Sequence, residues 1–201
     1  MTIMQMQTLI AKEERQERIL LSLKKLDFLS RSQLQRMHRL GGNRNANRIL
    51  ANMSDYLHSV RLDEKVYYLN AYGREMVGAN KVVKKTSQIE HYLMRNDLYL
   101  AYGCPTSWEQ EIKLTVPGKV SVVADAIFNV GNRYHICEID RTQRMLENHA
   151  KIHKYRELLS LGVFEIKPKF IWLTTTEYRR KQLAKMCEGL DVKIYVASEF
   201  K

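Results

Sequence analysis

Apolar residues in the first 80 positions recur every three or four residues in three short stretches, and two alternating stretches follow. The first spacing is typical of helices that bury one face, and the second is typical of strands. Gly41-Gly42 separates the second helical stretch from the third. The predicted elements are a helix over residues 13–25, a helix from a cap at Ser30 or Ser32 to about Leu40, a helix over residues 43–53, and strands over residues 56–61 and 65–69.

This order of helix, helix, glycine-containing turn, helix and hairpin is that of a winged helix-turn-helix. In such a domain the third helix lies in the major groove of DNA and the hairpin lies over phosphates or the minor groove. Arginine pairs well with guanine and asparagine pairs well with adenine. The residues of the third helix that point away from its apolar side are Arg44, Asn45, Asn47 and Arg48. We expect these residues to read DNA, with Arg61 and Lys65 on the wing.

The distribution of charge along the chain indicates which kind of partner this predicted domain binds. The chain has 33 Lys and Arg residues against 22 Asp and Glu residues, a formal net charge of +11. Residues 1–85 hold 16 basic and 8 acidic residues, a net charge of +8, and no acidic residue occurs over residues 28–54. The arginines of that acid-free window are Arg31, Arg36, Arg39, Arg44 and Arg48. A merely solvated basic face is the alternative interpretation, but the coincidence with two predicted helices favours double-stranded DNA as the partner.

The second half of the chain shows a different pattern, in which strands come first and then alternate with helices. A basic segment over residues 81–85 and a predicted helix over residues 87–101 precede it. Strands joined through helices usually run parallel, so the sheet is expected to be mixed. The predicted strands cover residues 108–114, 120–130, 133–140, 170–174 and 192–196, and the predicted helices cover residues 142–160 and 177–188.

A cluster of acidic residues is predicted within this sheet. Gly131-Asn132 lies between two alternating stretches and indicates a two-residue hairpin turn, which sets Asp125 opposite Glu138. Asp140 shares the face of Glu138 because strand side chains alternate. The apolar neighbours expected on that face are Val123, Ile127, Tyr134 and Ile136. Carboxylates placed opposite each other destabilise a sheet, so the cluster calls for a cation, a bound proton or a basic partner.

Lys151 is the candidate basic partner, because it falls inside the apolar arc of the helix that follows. The alternative is that its ammonium group extends past the core edge to water. An aspartate followed by Glu-x-Lys is the pattern of the PD-(D/E)xK nucleases, in which two acids hold a divalent metal and the lysine assists the attacking water. Asp125, Glu138 and Lys151 resemble that set, but Asp140 stands at the position of the lysine in the motif.

The chain as a whole, over about residues 15–196, resembles the replication-relaxation family of plasmids, integrative elements and phages. The segments that carry the resemblance are residues 66–73, residues 89–93, Asp125-Ala126-Ile127-Phe128, Glu138-Ile139-Asp140-Arg141-Thr142 and Lys151-x-x-x-Tyr155. The glycine that often follows E-x-D-R in the family is missing here. The resemblance implies a DNA-binding protein of a mobile element that serves replication, DNA relaxation for transfer, or transcriptional control. It also implies a second domain that has lost or altered nuclease chemistry.

The predicted fold class is therefore α/β, or α+β overall. A winged helix-turn-helix over residues 1–80 precedes a mixed α/β, restriction-endonuclease-like domain over residues 81–201, which we expect to be catalytically degenerate. A metal-dependent endonuclease or nickase using Asp125, Glu138, Asp140 and Lys151 is the alternative. A platform for self-association, or for a replication or transfer protein, is a third possibility.

Several classes of protein have no support in the sequence. No apolar stretch is long enough to span a membrane, and no secretory signal begins the chain, so a cytoplasmic location is expected. Three widely spaced cysteines without C-x-x-C argue against a disulfide scaffold or a zinc finger. Motifs for nucleotide hydrolysis, dinucleotide binding and serine hydrolysis are missing, and neither a cofactor nor a resident metal is expected.

Overall fold

The computed structural model describes residues 2–200 and has a mixed α+β architecture with two sheets. The chain divides into two compact units, and the boundary follows Asn96, within a helix that spans Ile89–Ala101. Unit 1 denotes the part up to Asn96, and unit 2 denotes the part from Asp97 onward. None of the helices over residues 2–200 has both the length and the apolar character that crossing a membrane requires.

Unit 1 combines helices with a small antiparallel sheet in the strand order β1-β3-β2. Its elements are α1 (Ile3–Leu26), β1 (Leu29–Ser30), α2 (Arg31–His38), α3 (Asn43–Ala51), β2 (Leu57–Arg61), β3 (Lys65–Leu69), α4 (Ala71–Met76) and the first part of α5 (Ile89–Ala101). The helices and strands predicted from periodicity are present. The cap of α2 is Ser30, whose hydroxyl accepts from the N–H of Gln33 while the Gln33 side chain accepts from the N–H of Ser30.

Helix α1 begins ten residues before the predicted start at residue 13. A capping box at Thr2 opens the helix, and the side chains of the described residues up to position 14 are exposed. Its buried residues, Ile19, Leu20, Leu23 and Leu26, all lie in the last two turns. Periodicity therefore detected only the part of α1 that packs on the core, because an exposed helix needs no apolar stripe.

Unit 2 is a five-stranded mixed sheet in the order β4-β5-β6-β7-β8. Its elements after α5 are β4 (Glu109–Val116), β5 (Val120–Val130), β6 (Arg133–Asp140), α6 (Met145–Ser160), β7 (Lys169–Thr174), α7 (Glu177–Met186) and β8 (Val192–Val196). Strands β4, β5 and β6 are antiparallel, whereas β7 and β8 run parallel to β6. This arrangement confirms the predicted partly parallel sheet. The hairpin register is also the predicted one, since Phe128 pairs with His135 and Val130 pairs with Arg133.

Helix α6 covers one face of this sheet. Ile152, Tyr155 and Leu158 are buried there in one cluster with Phe170 and Trp172. Burial of several large apolar side chains at about 1.5–3 kcal/mol each fixes which side of α6 faces the strands. The helix is thereby held over β5 and β6, where the acidic residues lie.

One detail of the predicted sheet is wrong. Val123 was expected on the inner face beside Asp125, but its side chain is 47% exposed while Val122 and Ala124 are buried in the core. Ile127 is buried in the same cluster, so the side chains of β5 that face the core have even numbers before Asp125 and odd numbers after it. Glu111, opposite Asp125 in the β4 register, has a left-handed backbone with φ 55°. Beyond this local distortion, each of the two strands directs the opposite set of alternate side chains toward the core.

Candidate nucleic-acid interface and acidic cluster

The outer face of α3 is polar and open to solvent. Ala46, Ile49 and Leu50 on its inner side are buried, which fixes the rotation of the helix. The predicted base-reading residues Arg44, Asn45, Asn47 and Arg48 are all exposed. This face of α3 thus presents guanidinium and amide groups of the kinds that form bidentate pairs with guanine and adenine.

Asn45 has a second role within this face. Its amide nitrogen donates to the Leu40 carbonyl at 2.8 Å, and its amide oxygen accepts from the Arg48 guanidinium at 2.8 Å. Asn45 thereby fixes the loop that precedes α3 and orients Arg48. The Asn47 side chain, by contrast, forms no hydrogen bond with another of the residues 2–200, so its amide group is available to a base.

Arg31, which is also predicted to bind DNA, is paired with other residues of unit 1. Its guanidinium lies 2.9 Å from a carboxylate oxygen of Glu64 and donates to Gln35 and Asn43, each at 2.7 Å. Its side chain is 19% exposed. The physical reason is that the β2–β3 turn brings Glu64 beside the start of α2. Arg31 therefore links α2, α3 and the hairpin.

Arg36 and Arg39 lie at an open concavity of about 580 Å³ between α2 and α3. Its lining residues are Arg31, Ser32, Gln35, Arg36, Arg39, Gly41 and Asn43. Arg61 and Lys65 are exposed and pair with each other across the β2–β3 hairpin. Basic residues therefore occupy α2, α3 and the hairpin within one unit, as the sequence indicated.

In unit 2 the Glu138 carboxylate is buried, with its side chain 1% exposed. The Lys151 ammonium donates to one of its oxygens and the Tyr155 hydroxyl donates to the other. The Lys151 Nζ also lies 4.0 Å from Asp125 Oδ1, and Asp125 Oδ2 accepts from the Ile139 N–H at 2.7 Å. The prediction that Lys151 reaches the acids is confirmed, so the alternative in which it extends past them to water is wrong.

The electrostatics of this group follow from its burial. Burial and the neighbouring Asp125 carboxylate raise the pKa of Glu138 well above its usual range, although Lys151 and Tyr155 act against that shift. Burial opposes the charge on Lys151, but Glu138 and Asp125 outweigh it and raise the pKa of the ammonium group. Lys151 therefore stays protonated and supplies the positive charge that the two acids require.

Asp140 has a separate set of partners on the same side of β6. The Arg179 guanidinium donates to both of its oxygens, at 2.7 and 2.5 Å. Asn148 and Thr174 each donate to it at 2.7 Å. Burial opposes ionisation, but these donors hold the pKa of Asp140 below its usual value. Asp140 is thus an ionised, fully hydrogen-bonded carboxylate.

Sequence reasoning missed Arg179, Asn148 and Thr174. A signal existed for Asn148, because Asn148, Lys151 and Tyr155 are spaced by three and four residues on one face of α6. Thr174 could be placed only from the parallel register, in which it pairs with Asp140. Arg179 lies 39 residues from Asp140, and no local pattern joins them.

Over residues 2–200, no three His, Cys, Asp or Glu side chains are arranged so that they could hold a metal ion. Asp125 and Glu138 are both paired with Lys151, whereas Asp140 is paired with Arg179. The predicted three-carboxylate cluster is thus two adjacent ion-paired groups. The cations beside these carboxylates come from Lys151 on α6 and Arg179 on α7.

Comparison with known families gives one match that covers most of the chain. The family model for replication-relaxation matches residues 20–173. The chain belongs to the replication-relaxation family. In this replication-relaxation protein the matched segment includes α2, α3, the β2–β3 hairpin, Asp125, Glu138, Asp140 and Lys151. A search of curated proteins for related sequences finds none that matches.

Two solved structures are similar to this replication-relaxation protein at low sequence identity. Protein VC1899 from Vibrio cholerae is 13% identical with a TM-score of 0.43, and the match covers 95% of this chain and 48% of that one. Can2 from Sulfobacillus thermosulfidooxidans, solved with cyclic tetra-adenylate, is 14% identical with a TM-score of 0.38. That match covers 93% of this chain and 49% of Can2. The chain spans about half the length of both structures.

Proposed function

We propose that this protein binds double-stranded DNA through unit 1 as a winged helix and controls replication, transfer or transcription of a mobile genetic element. The observation that carries the proposal is the exposed face of α3, where Arg44, Asn47 and Arg48 project outward from a helix whose other side is buried. Membership of the replication-relaxation family supports a role in the replication or relaxation of mobile elements.

The order and pairing of the elements support the same proposal. Helices α2 and α3 are joined by a short turn at Gly41-Gly42, and the β2–β3 hairpin follows with β1 on its other edge. In a winged helix this arrangement directs the second helix of the pair into the major groove and the hairpin onto the backbone. Arg61 and Lys65 are then placed at phosphates, which add affinity without sequence preference.

The experiment begins with selection of a preferred site from a library of random-sequence duplexes. Affinity for the selected duplex is then measured by fluorescence anisotropy at fixed salt for the wild type and for Arg44→Ala with Arg48→Ala. Removal of one base-reading arginine costs about 1–3 kcal/mol, so we expect the double variant to lose at least tenfold in affinity.

The matched control is Lys181→Ala with Lys185→Ala, which removes the same charge from exposed positions of α7 in unit 2. We expect this control to bind within about twofold of the wild type, because both lysines lie outside the proposed DNA-binding surface and salt screens charges that do not contact DNA. Equal losses in the two double variants would contradict recognition by α3.

We also propose that unit 2 acts without metal-dependent cleavage, and that its acids hold β6 to α6 and α7. Support comes from the cation that each carboxylate already has, Lys151 for Glu138 and Arg179 for Asp140. A homodimer on an inverted repeat, or recruitment of a replication or transfer protein, would fit this role. A footprint over two inverted half-sites would support the dimer, and a single asymmetric half-site at stoichiometric protein would not.

A further inference from the structure

The turn between β2 and β3 carries Glu64, whose carboxylate is bound at the start of α2. The Ser32 N–H donates to Glu64 Oε2 at 3.1 Å, and the Ser32 hydroxyl donates to Oε1. The Arg31 guanidinium lies 2.9 Å from Oε2. Two consecutive residues thus direct three donors at one carboxylate. This arrangement, the Arg31–Ser32 site, is built to hold an anionic group.

The Arg31–Ser32 site forms part of the wall of the concavity between α2 and α3. Arg36 and Arg39 lie at the same concavity, and none of its lining residues is acidic. The Glu64 side chain is 26% exposed, so its carboxylate is held at the surface rather than in the core. A DNA backbone that enters the concavity therefore meets three arginines and the donors that now bind Glu64.

The donor set suits a phosphodiester as well as a carboxylate. Arginine guanidinium groups, serine hydroxyls and backbone N–H groups make most contacts between proteins and DNA phosphates. A phosphodiester, like a carboxylate, offers two oxygens that share one negative charge. Arg31 also donates to Gln35 and Asn43, so its guanidinium keeps its position when Glu64 leaves.

We propose that the Arg31–Ser32 site binds a backbone phosphate of double-stranded DNA and that Glu64 occupies this site in the unbound protein. This inference rests on the proposed function: it identifies one phosphate contact on the proposed DNA-binding surface and an acidic residue that competes with that contact. On binding, the phosphate takes the place of the Glu64 carboxylate, and the β2–β3 turn is released from α2. Glu64 thereby competes with DNA and lowers the affinity of the basic surface.

The test compares the wild type, Glu64→Gln, Arg31→Gln and the double variant by fluorescence anisotropy with the selected duplex over a series of salt concentrations. We expect Glu64→Gln to bind about fivefold more tightly, because the amide competes weakly for Arg31. In the Arg31→Gln background the same substitution has little effect. Arg31→Gln alone lowers the slope of log affinity against log salt by about one, the value for one lost phosphate contact.

Asp63→Asn is the matched control, because Asp63 is exposed on the same turn and carries the same charge. We expect it to change affinity by less than about twofold. Three results would each overturn the inference. Glu64→Gln could bind DNA no more tightly than the wild type, or it could increase affinity in the Arg31→Gln background as well. The slope of log affinity against log salt could also be the same for Arg31→Gln as for the wild type. If Glu64→Gln folds poorly, the salt dependence of Arg31→Gln still tests whether Arg31 contacts a phosphate. A wild type that binds no duplex overturns the proposed function instead.

Discussion

His38 on α2 is a histidine whose environment keeps it neutral. Burial and the nearby Arg18 lower its pKa to about 4, and its Nε2 lies 3.0 Å from the Ser22 hydroxyl. In the unfolded chain the same group takes up a proton near pH 6.5. The unfolded state therefore binds more protons between these values, so the free energy of unfolding falls as pH falls from 6.5 to 4.

We expect this loss to be about 1–2 kcal/mol once solvent screening at a partly exposed site is included. Urea unfolding of the wild type and of His38→Gln at pH 7, 5.5 and 4.5 measures it. The glutamine variant, which does not titrate, should lose less stability over this range than the wild type. Equal losses in the two proteins would assign the pH dependence to other groups.

Gly73 on α4 is required for a steric reason. A Cβ at this position would lie 2.2 Å from the Tyr56 carbonyl oxygen, which also accepts from the Asn70 N–H. Because backbone atoms stand in the way, we expect Gly73→Ala to cost about 1–3 kcal/mol of stability. Gly42→Ala is the control, since a Cβ there meets nothing within 4 Å, and we expect a cost of about 0.5 kcal/mol. Thermal unfolding that ranks the two variants equally would contradict this explanation.

At the scale of elements, α6 is joined to β6 by its polar residues as well as its apolar ones. Asn148, Lys151 and Tyr155 lie along one face and donate to Asp140 or Glu138. The acids on β6 therefore fix the position of α6 along the strand, because each donor has a specific acceptor. Apolar packing alone would allow the helix to shift more freely.

Lys151→Met tests this connection. The substitution removes the cation and leaves Glu138 buried, so we expect a loss of about 3 kcal/mol in the free energy of unfolding. Glu138→Gln combined with Lys151→Met should recover part of that loss, since the double variant buries no carboxylate at position 138. Denaturant unfolding of the single and double variants measures the coupling. An unchanged midpoint for Lys151→Met would show that the ion pair adds nothing.

At the scale of the whole molecule, the two units differ in charge and in what their polar residues do. Unit 1, residues 1–96, carries a net charge of +8 from 17 basic and 9 acidic residues, and unit 2, residues 97–201, carries +3 from 16 basic and 13 acidic residues. Arg44 and Arg48 on α3 of unit 1 are exposed. In unit 2, by contrast, the buried acids Glu138 and Asp140 are paired with Lys151 and Arg179, respectively. These differences support the proposal that unit 1 recognises DNA and that unit 2 has a supporting role.

This division predicts the outcome of a cleavage assay. Supercoiled plasmid incubated with the protein and Mg²⁺ or Mn²⁺ should stay supercoiled, because Lys151 and Arg179 already compensate the carboxylates that a metal would need. Gel electrophoresis over a time course measures nicked and linear products. Metal-dependent cleavage that Asp125→Ala abolishes would instead establish the endonuclease alternative.

The order of the helices and strands was determined by the sequence itself, because periodicity and turn residues are local properties. The Gly131-Asn132 turn was enough to fix the β5–β6 register, since a two-residue turn leaves one pairing. The approach of Lys151 to the acids followed from its place on the helical arc. The outward direction of Arg44 and Arg48 followed from the same kind of periodicity.

Only the tertiary structure decided how the charges pair. Glu64 meets Ser32 across 32 residues and Arg179 meets Asp140 across 39, and no local pattern encodes such contacts. The change of parity at Asp125 depends on the backbone of Glu111 in the neighbouring strand. Periodicity constrains a residue relative to its own element, whereas a partner on another element is set by how the elements pack.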